Sequence, residues 1–128
     1  MEQIEKNTVS AKGQLKASEF VTFLPNGGEG RRYLLVGNSI TRHGIAPQIG
    51  WNNDWGMAAS ALEKDYVHLL AAKIRKKEPD AAFCMCQAAE WERNYQNPSQ
   101  VLQLFENARD FCADVIVMRI IENCPYQD

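Results

Sequence analysis

Glycine is confined to the first half of the sequence: all eight glycines lie between Gly13 and Gly56. Tight or unusual backbone turns are therefore expected mainly in that half. Long apolar runs are also missing, and none approaches the roughly 20 residues that a membrane-spanning helix needs. Residues 1–16 contain no apolar stretch typical of a signal peptide, so we expect a cytoplasmic protein without a membrane anchor.

An excess of positive charge is lacking too. The 128 residues include 14 Lys and Arg against 16 Asp and Glu, a formal net charge of -2. The basic surface of a nucleic-acid binder is therefore not expected. With 45% hydrophobic residues, the chain can form the core of one small globular domain. We assign residues 1–17 to a polar arm and residues 18–128 to this domain.

Cysteine pairs with metal-site spacing are absent. The sequence has no C-x-x-C pair and only two histidines. We therefore expect no metal site and no cofactor. We interpret the cysteines as small buried hydrophobic residues of a protein in a reducing compartment. They are Cys84, Cys86, Cys112 and Cys124.

Apolar runs predict four strands, at residues 20–24, 32–36, 81–86 and 115–121. A helix is predicted to begin at a capping box formed by Ser60 and Glu63 and to end before Pro79. A second helix is predicted to begin at Asn97, with Pro98 at its first position. The expected buried stripes are Leu62, Tyr66, Leu69, Leu70 and Ile74 in the first helix, and Val101, Leu104, Phe105, Ala108 and Cys112 in the second.

The alternation of strands and helices predicts an α/β domain. Right-handed crossovers then give a mostly parallel sheet with helices on both faces. In such sheets, functional sites form in the loops beyond the carboxyl ends of the strands. The candidate loops are residues 37–56, 87–97 and 122–128.

The first of these loops has a serine directly after a buried strand and a glycine, in Gly37-Asn-Ser-Ile-Thr41. A serine in such a position can expose its hydroxyl while its backbone N–H points to the same place. That arrangement suits a nucleophile with half of an oxyanion hole. Serine also follows strands because its side chain hydrogen-bonds to loop backbone. This pattern alone favours the structural role.

A longer stretch resembles a known family. Residues 33–41, YLLVGNSIT, resemble the first sequence block of the SGNH (GDSL-type) hydrolases. The wider stretch, from GNSITRHG to IGWNNDWGMAASALEKDYVHLL, is similar to one bacterial subgroup. Asn38 stands where the family usually has Asp. The resemblance spans residues 33–123 and implies an esterase or acylhydrolase. It also implies a flavodoxin-like, three-layer α/β/α fold, here incomplete at its C-terminal side.

The resemblance also implies site residues. Ser39 matches the nucleophile, and its N–H would be one oxyanion donor. The family's third block, G-x-N-D, is similar to Ile121-Glu-Asn-Cys124, so Asn123 matches the asparagine that donates to the oxyanion. The second block normally supplies a glycine N–H. The corresponding loop has no glycine, and an ungapped comparison assigns this donor to Glu92.

The family's general base belongs to a late D-x-x-H block, which this sequence lacks. A D-x-x-H does occur from Asp65 to His68, but it falls within the first predicted helix. We interpret it as packing or surface structure, because a base must reach the serine. His43 follows Ser39 by four residues and is a candidate base, but its only conceivable carboxylate partner is Asp54, so we favour loop polarity or substrate contact. We therefore expect the amino-terminal part of an SGNH hydrolase, with weak or no activity.

Tryptophans in the candidate loops suggest the substrate. Trp55 and Trp91 are candidates for stacking a sugar ring or lining an acyl pocket, which would suit a small ester such as an acylated carbohydrate. Anchoring of the loops by these large side chains, and by Trp51, is an equally good interpretation.

Two further expectations follow from the pattern. The strand at residues 115–121 is apolar on both faces, and as an exposed edge it would pair with a second copy in a homo-oligomer. The alternative to a hydrolase is a non-catalytic, flavodoxin-like binding module. It would hold a phosphate or another small ligand on the hydroxyls and N–H groups of the Gly37–Thr41 loop.

Overall fold

The computed structural model describes residues 18–25 and 29–125. The predicted polar arm at residues 1–17 lies outside this range. The strands are β1 (Val21–Phe23), β2 (Arg32–Gly37), β3 (Ala82–Gln87) and β4 (Val115–Arg119). The α-helices are α1 (Tyr66–Arg75), α2 (Ala89–Asn94) and α3 (Glu106–Asp110). Short 3-10 helices cover Pro47–Ile49, Leu62–Lys64, Pro98–Gln100 and Leu102–Phe105.

The strands form one mostly parallel sheet in the order β1-β3-β2-β4. Strand β2 is parallel to both β3 and β4, and β1 is antiparallel to β3. Gly37, the last residue of β2, pairs with Gln87 on one side and Arg119 on the other. The three parallel strands therefore end level with one another. The predicted α/β class with a mostly parallel sheet is confirmed, and the three candidate loops leave the same edge.

Apolar residues cover both faces of the central strands β2 and β3. On one face, Phe111 packs with β2 and β3 residues such as Leu34 and Cys84. On the other, Val67 of α1 packs with residues such as Phe83. Alternate side chains of each strand point to opposite faces, which explains why the central strands are continuous apolar runs.

Two of the cysteines are core residues, as predicted. Cys84 and Cys86 are buried on the same face of β3, while Cys112 and Cys124 are half-buried. Burial raises the pKa of Cys86 to about 12 and that of Cys84 as well, so neither thiol is a nucleophile near neutral pH.

The first helix begins later than predicted. Its N-cap is Asp65, whose carboxylate accepts a hydrogen bond from His68 N at 2.8 Å, so the capping box at Ser60 is wrong. Leu62 lies in a 3-10 turn before the helix and is exposed. The fully buried side of α1 is formed by Val67 and Ala71. Aspartate caps a helix as well as serine does, and here tertiary contacts decide between them.

The second predicted helix is broken up. Two 3-10 turns precede α3, which spans only Glu106–Asp110. Val101 and Ala108 of the predicted stripe are buried, and Phe111, which the stripe omitted, is fully buried. The loop predicted at residues 87–97 instead contains helix α2.

Strand β4 lies at an edge of the sheet, where it pairs with β2 among the described residues. Ile116 and Met118 on its outer face are 58% and 61% exposed. Strand β1 sits at the opposite edge and does not cover β4. The homo-oligomer remains a prediction. Among the described residues, no helix is long and apolar enough to cross a bilayer.

Candidate functional site

Ser39 lies in a tight turn directly after β2. The turn needs glycine at position 37, because a Cβ there would lie 1.7 Å from the Thr41 hydroxyl oxygen. Thr41 is buried, and its hydroxyl is 2.5 Å from the hydroxyl of Tyr66 at the start of α1. The turn is therefore packed between the sheet and the first helix, and Ser39 within it is half-buried.

Asn38 organises the backbone of this turn. Its side-chain oxygen accepts from Ile40 N at 3.2 Å, and its carbonyl accepts from Thr41 N and Arg42 N at 3.0 and 3.1 Å. Three successive N–H groups are thus used within the turn. Ser39 N has no acceptor among the residues that the structure describes. The N–H of Ser39 is therefore the turn's available donor for a ligand.

The side chain of Asn38 also joins the turn to the loop after β4. Its amide donates to a Glu122 carboxylate oxygen at 2.7 Å, and the other oxygen pairs with Arg119. A hydrogen bond from Glu122's own backbone N–H, with further contributions from Asn38 and Arg119, lowers the pKa of the Glu122 carboxyl. An ionised aspartate at position 38 would have no N–H to donate, which gives a physical reason for asparagine beside Glu122.

Glu92 is fully buried and anchors the same loop. One carboxylate oxygen accepts from Ile121 N at 2.8 Å and Asn123 N at 2.9 Å, and the other is 3.3 Å from the Asn123 amide nitrogen. The predicted oxyanion donor at Glu92 is wrong. Its own N–H donates to Ala88 O at 3.0 Å inside α2. Glu92 instead positions Asn123 through its side chain.

Ile121 has a φ of 104°, in a region that L side chains rarely adopt. Glycine reaches this backbone conformation without strain. In this chain the two hydrogen bonds to Glu92 hold the same conformation with isoleucine.

Ser39, Asn123 and His43 line one cavity of about 550 Å³ at the carboxyl edge of the sheet. The Asn123 amide has two hydrogens, so one can donate to Glu92 and the other can serve a ligand. The structure therefore brings together three of the residues that were predicted to form the site.

His43 is held in place by its backbone and its ring. Its N–H donates to Trp55 O at 3.0 Å, and its carbonyl accepts from the Trp51 indole at 3.1 Å. The ring Nδ1 lies 2.6 Å from the carbonyl oxygen of Gly44. Both main-chain groups and one ring nitrogen are thus fixed.

The tryptophans are not among the residues that line this cavity, and their role in substrate contact stays a prediction. Trp55 donates from its indole to Ala59 O at 2.9 Å and packs edge-on against Trp51, with ring centroids 6.0 Å apart. Trp91 lines a separate apolar groove beside β4. Anchoring of the loop is the role that these contacts support for Trp51 and Trp55.

Asp65 and His68 form a hydrogen-bonded pair away from Ser39. His68 Nδ1 is 2.7 Å from Asp65 Oδ1, and Gly56 N donates to Asp65 Oδ2 at 3.1 Å. Asp65 is the N-cap of α1 rather than a mid-helix residue. The pair lines a cavity of about 220 Å³, and Ser39 is not among that cavity's lining residues. Asp65 therefore ties the end of the serine loop to the helix.

Several polar residues of the Ser39 cavity were not predicted. Arg42, Gln87, Glu90 and Arg93 all line it. Arg42 pairs with Asp54 at 2.8 Å. The sequence signal for Arg93 was its place in a candidate loop, but only the unpredicted helix α2 presents it to the cavity.

Comparisons with protein-family models, with curated proteins and with solved structures gave no match. Among the described residues, no group of three or more His, Cys, Asp or Glu side chains is arranged to hold a metal ion.

Proposed function

We propose that this protein is an SGNH-type esterase or acylhydrolase in which Ser39 is the nucleophile. The observation that carries the proposal is the shared cavity of Ser39 and Asn123, which follow the neighbouring parallel strands β2 and β4. A serine at the carboxyl edge of the sheet and an amide donor from the next strand supply a nucleophile and an oxyanion donor, which are two of the parts that acyl transfer uses.

The topology supports a flavodoxin-like, three-layer fold. The three parallel strands lie side by side in the order β3-β2-β4. Numbered by their sequence order this is 2-1-3, which is how the flavodoxin-like strand order begins. The chain passes from β2 to β3 on one side and then from β3 across β2 to β4 on the other side, and ligands bind beside such a reversal of strand order. Apolar clusters on both faces of the sheet agree with helices on each side.

The oxyanion would lie between two donors, the N–H of Ser39 and the free N–H of the Asn123 amide. Each donor of this kind contributes roughly 10²–10³ in rate when it is held rigidly. The buried Glu92 carboxylate supplies that rigidity at Asn123, and the hydrogen bonds of Asn38 supply it at Ser39.

The cavity supports a small, polar ester as substrate. Ser39 shares this cavity with the polar residues Arg42, Gln87 and Arg93 and with apolar residues such as Ile45 and Met57. The polar residues suit the hydroxyls of an alcohol, and the apolar residues suit a short acyl group. A short acyl group on a polyhydroxylated alcohol, such as a carbohydrate, fits this lining. The free cysteines suit a reducing compartment, which supports a cytoplasmic location.

The alternative, a phosphate-binding module, has less support. A phosphate cradle uses several backbone N–H groups that point to one place. Here Ile40, Thr41 and Arg42 donate to Asn38 instead, and the Thr41 hydroxyl is buried against Tyr66. One backbone donor remains in the turn, which suits an oxyanion better than a phosphate.

A fluorophosphonate probe tests the proposal directly. We expect covalent labelling at Ser39, located by peptide mass spectrometry, and its loss in Ser39→Ala. Asn123→Ala should slow labelling by roughly 10²-fold, since it removes one oxyanion donor. Release of acetate from acetylated sugars should exceed release from long-chain esters. A wild-type protein that carries no label on Ser39 would refute the hydrolase.

A further inference from the structure

The loop that follows Ser39 closes on Ser39 itself. Met57 N donates to the carbonyl oxygen of Ser39 at 2.9 Å, so residues 56–57, here called the closing segment, lie against the turn that holds the serine. The approach is close, and a Cβ on Gly56 would overlap the carbonyl oxygen of Ile40. Gly56 has no positive φ, so glycine is needed there for space and not for an unusual backbone angle.

The closing segment supplies one of the anchors that fix the backbone on both sides of Ser39. On the first side, the carbonyl of Asn38 accepts two N–H groups of the same turn. On the second side, the peptide group between Ser39 and Ile40 is held at its oxygen by Met57 N and at its nitrogen by the Asn38 side chain, at 3.2 Å. These two peptide groups set the direction of the Ser39 Cα–Cβ bond. Loss of the Met57 anchor would therefore let the Ser39 hydroxyl shift within its cavity.

Asp65 holds the closing segment from outside that cavity. Its Oδ2 accepts from Gly56 N at 3.1 Å, one residue before the Met57 N–H, and its Oδ1 accepts from His68 N at 2.8 Å. Asp65 is buried, and it is not among the residues that line the Ser39 cavity. One carboxylate thus fixes the closing segment to the start of α1 at a place that a ligand beside Ser39 does not touch.

We propose, as an extension of the proposed esterase function, that Asp65 is a positioning residue for Ser39. It acts through the closing segment: the carboxylate holds Gly56, and Met57 then holds the Ser39 carbonyl. This role needs no proton transfer by Asp65 and no contact between Asp65 and the substrate. Loss of the carboxylate should lower the reactivity of Ser39 while the fold remains.

Two substitutions break this connection at different points. In Asp65→Ser the hydroxyl can still cap α1, because serine is a good N-cap, but its single short side-chain oxygen cannot also accept from Gly56 N. In Gly56→Ala the carboxylate stays, and the added methyl group pushes the closing segment away from Ile40. His68→Gln is the matched control, because it removes the ring that contacts Asp65 and leaves the closing segment unchanged.

The first readout is hydrogen exchange of the Met57 amide, followed by NMR at a temperature where circular dichroism shows each variant to be folded. We expect Asp65→Ser and Gly56→Ala to speed this exchange about tenfold, and His68→Gln to stay within about threefold of wild type. Neither oxygen of Asp65 accepts from Met57 N, so a change at that amide reports the closing segment and not the cap of α1.

The second readout is the second-order rate constant for fluorophosphonate labelling of Ser39 under the same conditions. We expect Asp65→Ser and Gly56→Ala each to lower it by about tenfold or more, since misplacement of a reacting group by about 1 Å can cost roughly 10²-fold. Labelling of His68→Gln should stay within about threefold of wild type, because its closing segment is intact.

Wild-type labelling rates in a folded Asp65→Ser would overturn this assignment and leave the esterase intact. Faster exchange at Met57 with unchanged labelling would also overturn it, because the closing segment would then not govern Ser39. An equal loss of labelling in His68→Gln would assign the effect to the helix start and not to the closing segment, which overturns the assignment too. A wild-type protein without label on Ser39 would overturn both proposals together.

Discussion

The buried Glu92 carboxylate gives the sharpest stability prediction. Its hydrogen bonds to Ile121 N and Asn123 N measure 2.8 and 2.9 Å, while the third, to the Asn123 amide, is long at 3.3 Å. Hydrogen bonds to a charged group contribute about 1.5–3 kcal/mol each. The two donors lie in a loop that water can reach, so the lower value applies to each. Glu92→Ala should therefore lower the free energy of unfolding by about 3 kcal/mol.

Glu92→Gln removes the charge of the side chain and keeps its shape. The amide oxygen can still accept from both N–H groups, but neutral hydrogen bonds contribute about 1 kcal/mol less each, so we expect a loss of about 2 kcal/mol. The control is Glu90→Gln on the same helix, whose carboxylate is 40% exposed and pairs with Arg93. That change should stay within about 0.5 kcal/mol of wild type.

Urea unfolding followed by tryptophan fluorescence measures all three variants. Glu92→Ala could instead unfold at the same urea concentration as wild type, with the same dependence of the free energy of unfolding on urea. Glu92 would then not hold the end of β4 and would not position Asn123.

Four further predictions concern single features. Ile121→Gly should raise the free energy of unfolding by about 1 kcal/mol, because glycine relieves the backbone strain at φ 104°, whereas Ile121→Ala should not raise it. Equal effects of the two substitutions in urea unfolding would exclude this strain. Ellman's reagent should leave the buried thiols of Cys84 and Cys86 unreacted until the protein unfolds; rapid reaction of all four native thiols would contradict the burial. Because the pKa of Glu122 is lowered, its contribution to stability is complete above the ordinary value of 4.5 and is lost as the pH falls through the lowered pKa. Thermal melts at decreasing pH should thus show a smaller acid loss in Glu122→Gln, and identical acid losses would count against this contribution. Met118→Lys on the exposed edge should convert a homo-oligomer to monomer in light scattering; a monomeric wild-type protein would end that prediction.

The strand framework was predictable because β2 and β3 are apolar on both faces and end at loop residues. Their composition indicates parallel strands with covered faces, and the ends of such strands place Ser39 and Asn123 on one edge. The resemblance to SGNH hydrolases selected these two residues from the loops. Both parts of this prediction depend on local runs of residues.

The supporting contacts were not predictable from local sequence. Glu92 looks like an ordinary surface glutamate in a charged segment, and only its distance to the end of β4 shows what its carboxylate holds. The predicted start of α1 was wrong for a similar reason. Ser60 and Asp65 are both good caps, and the hydrogen bond from Gly56 to Asp65 favours the second. Contacts between distant segments decide such cases.

The two oxygens of Asp65 couple events that are usually separate during folding. One oxygen accepts from the amide of Gly56 and the other from the amide of His68, so we expect closure of the far end of the serine loop and formation of the first helical turn to favour each other. Hydrogen exchange should therefore show the two amides opening together, and a ligand that steadies the loop should also slow fraying of the helix.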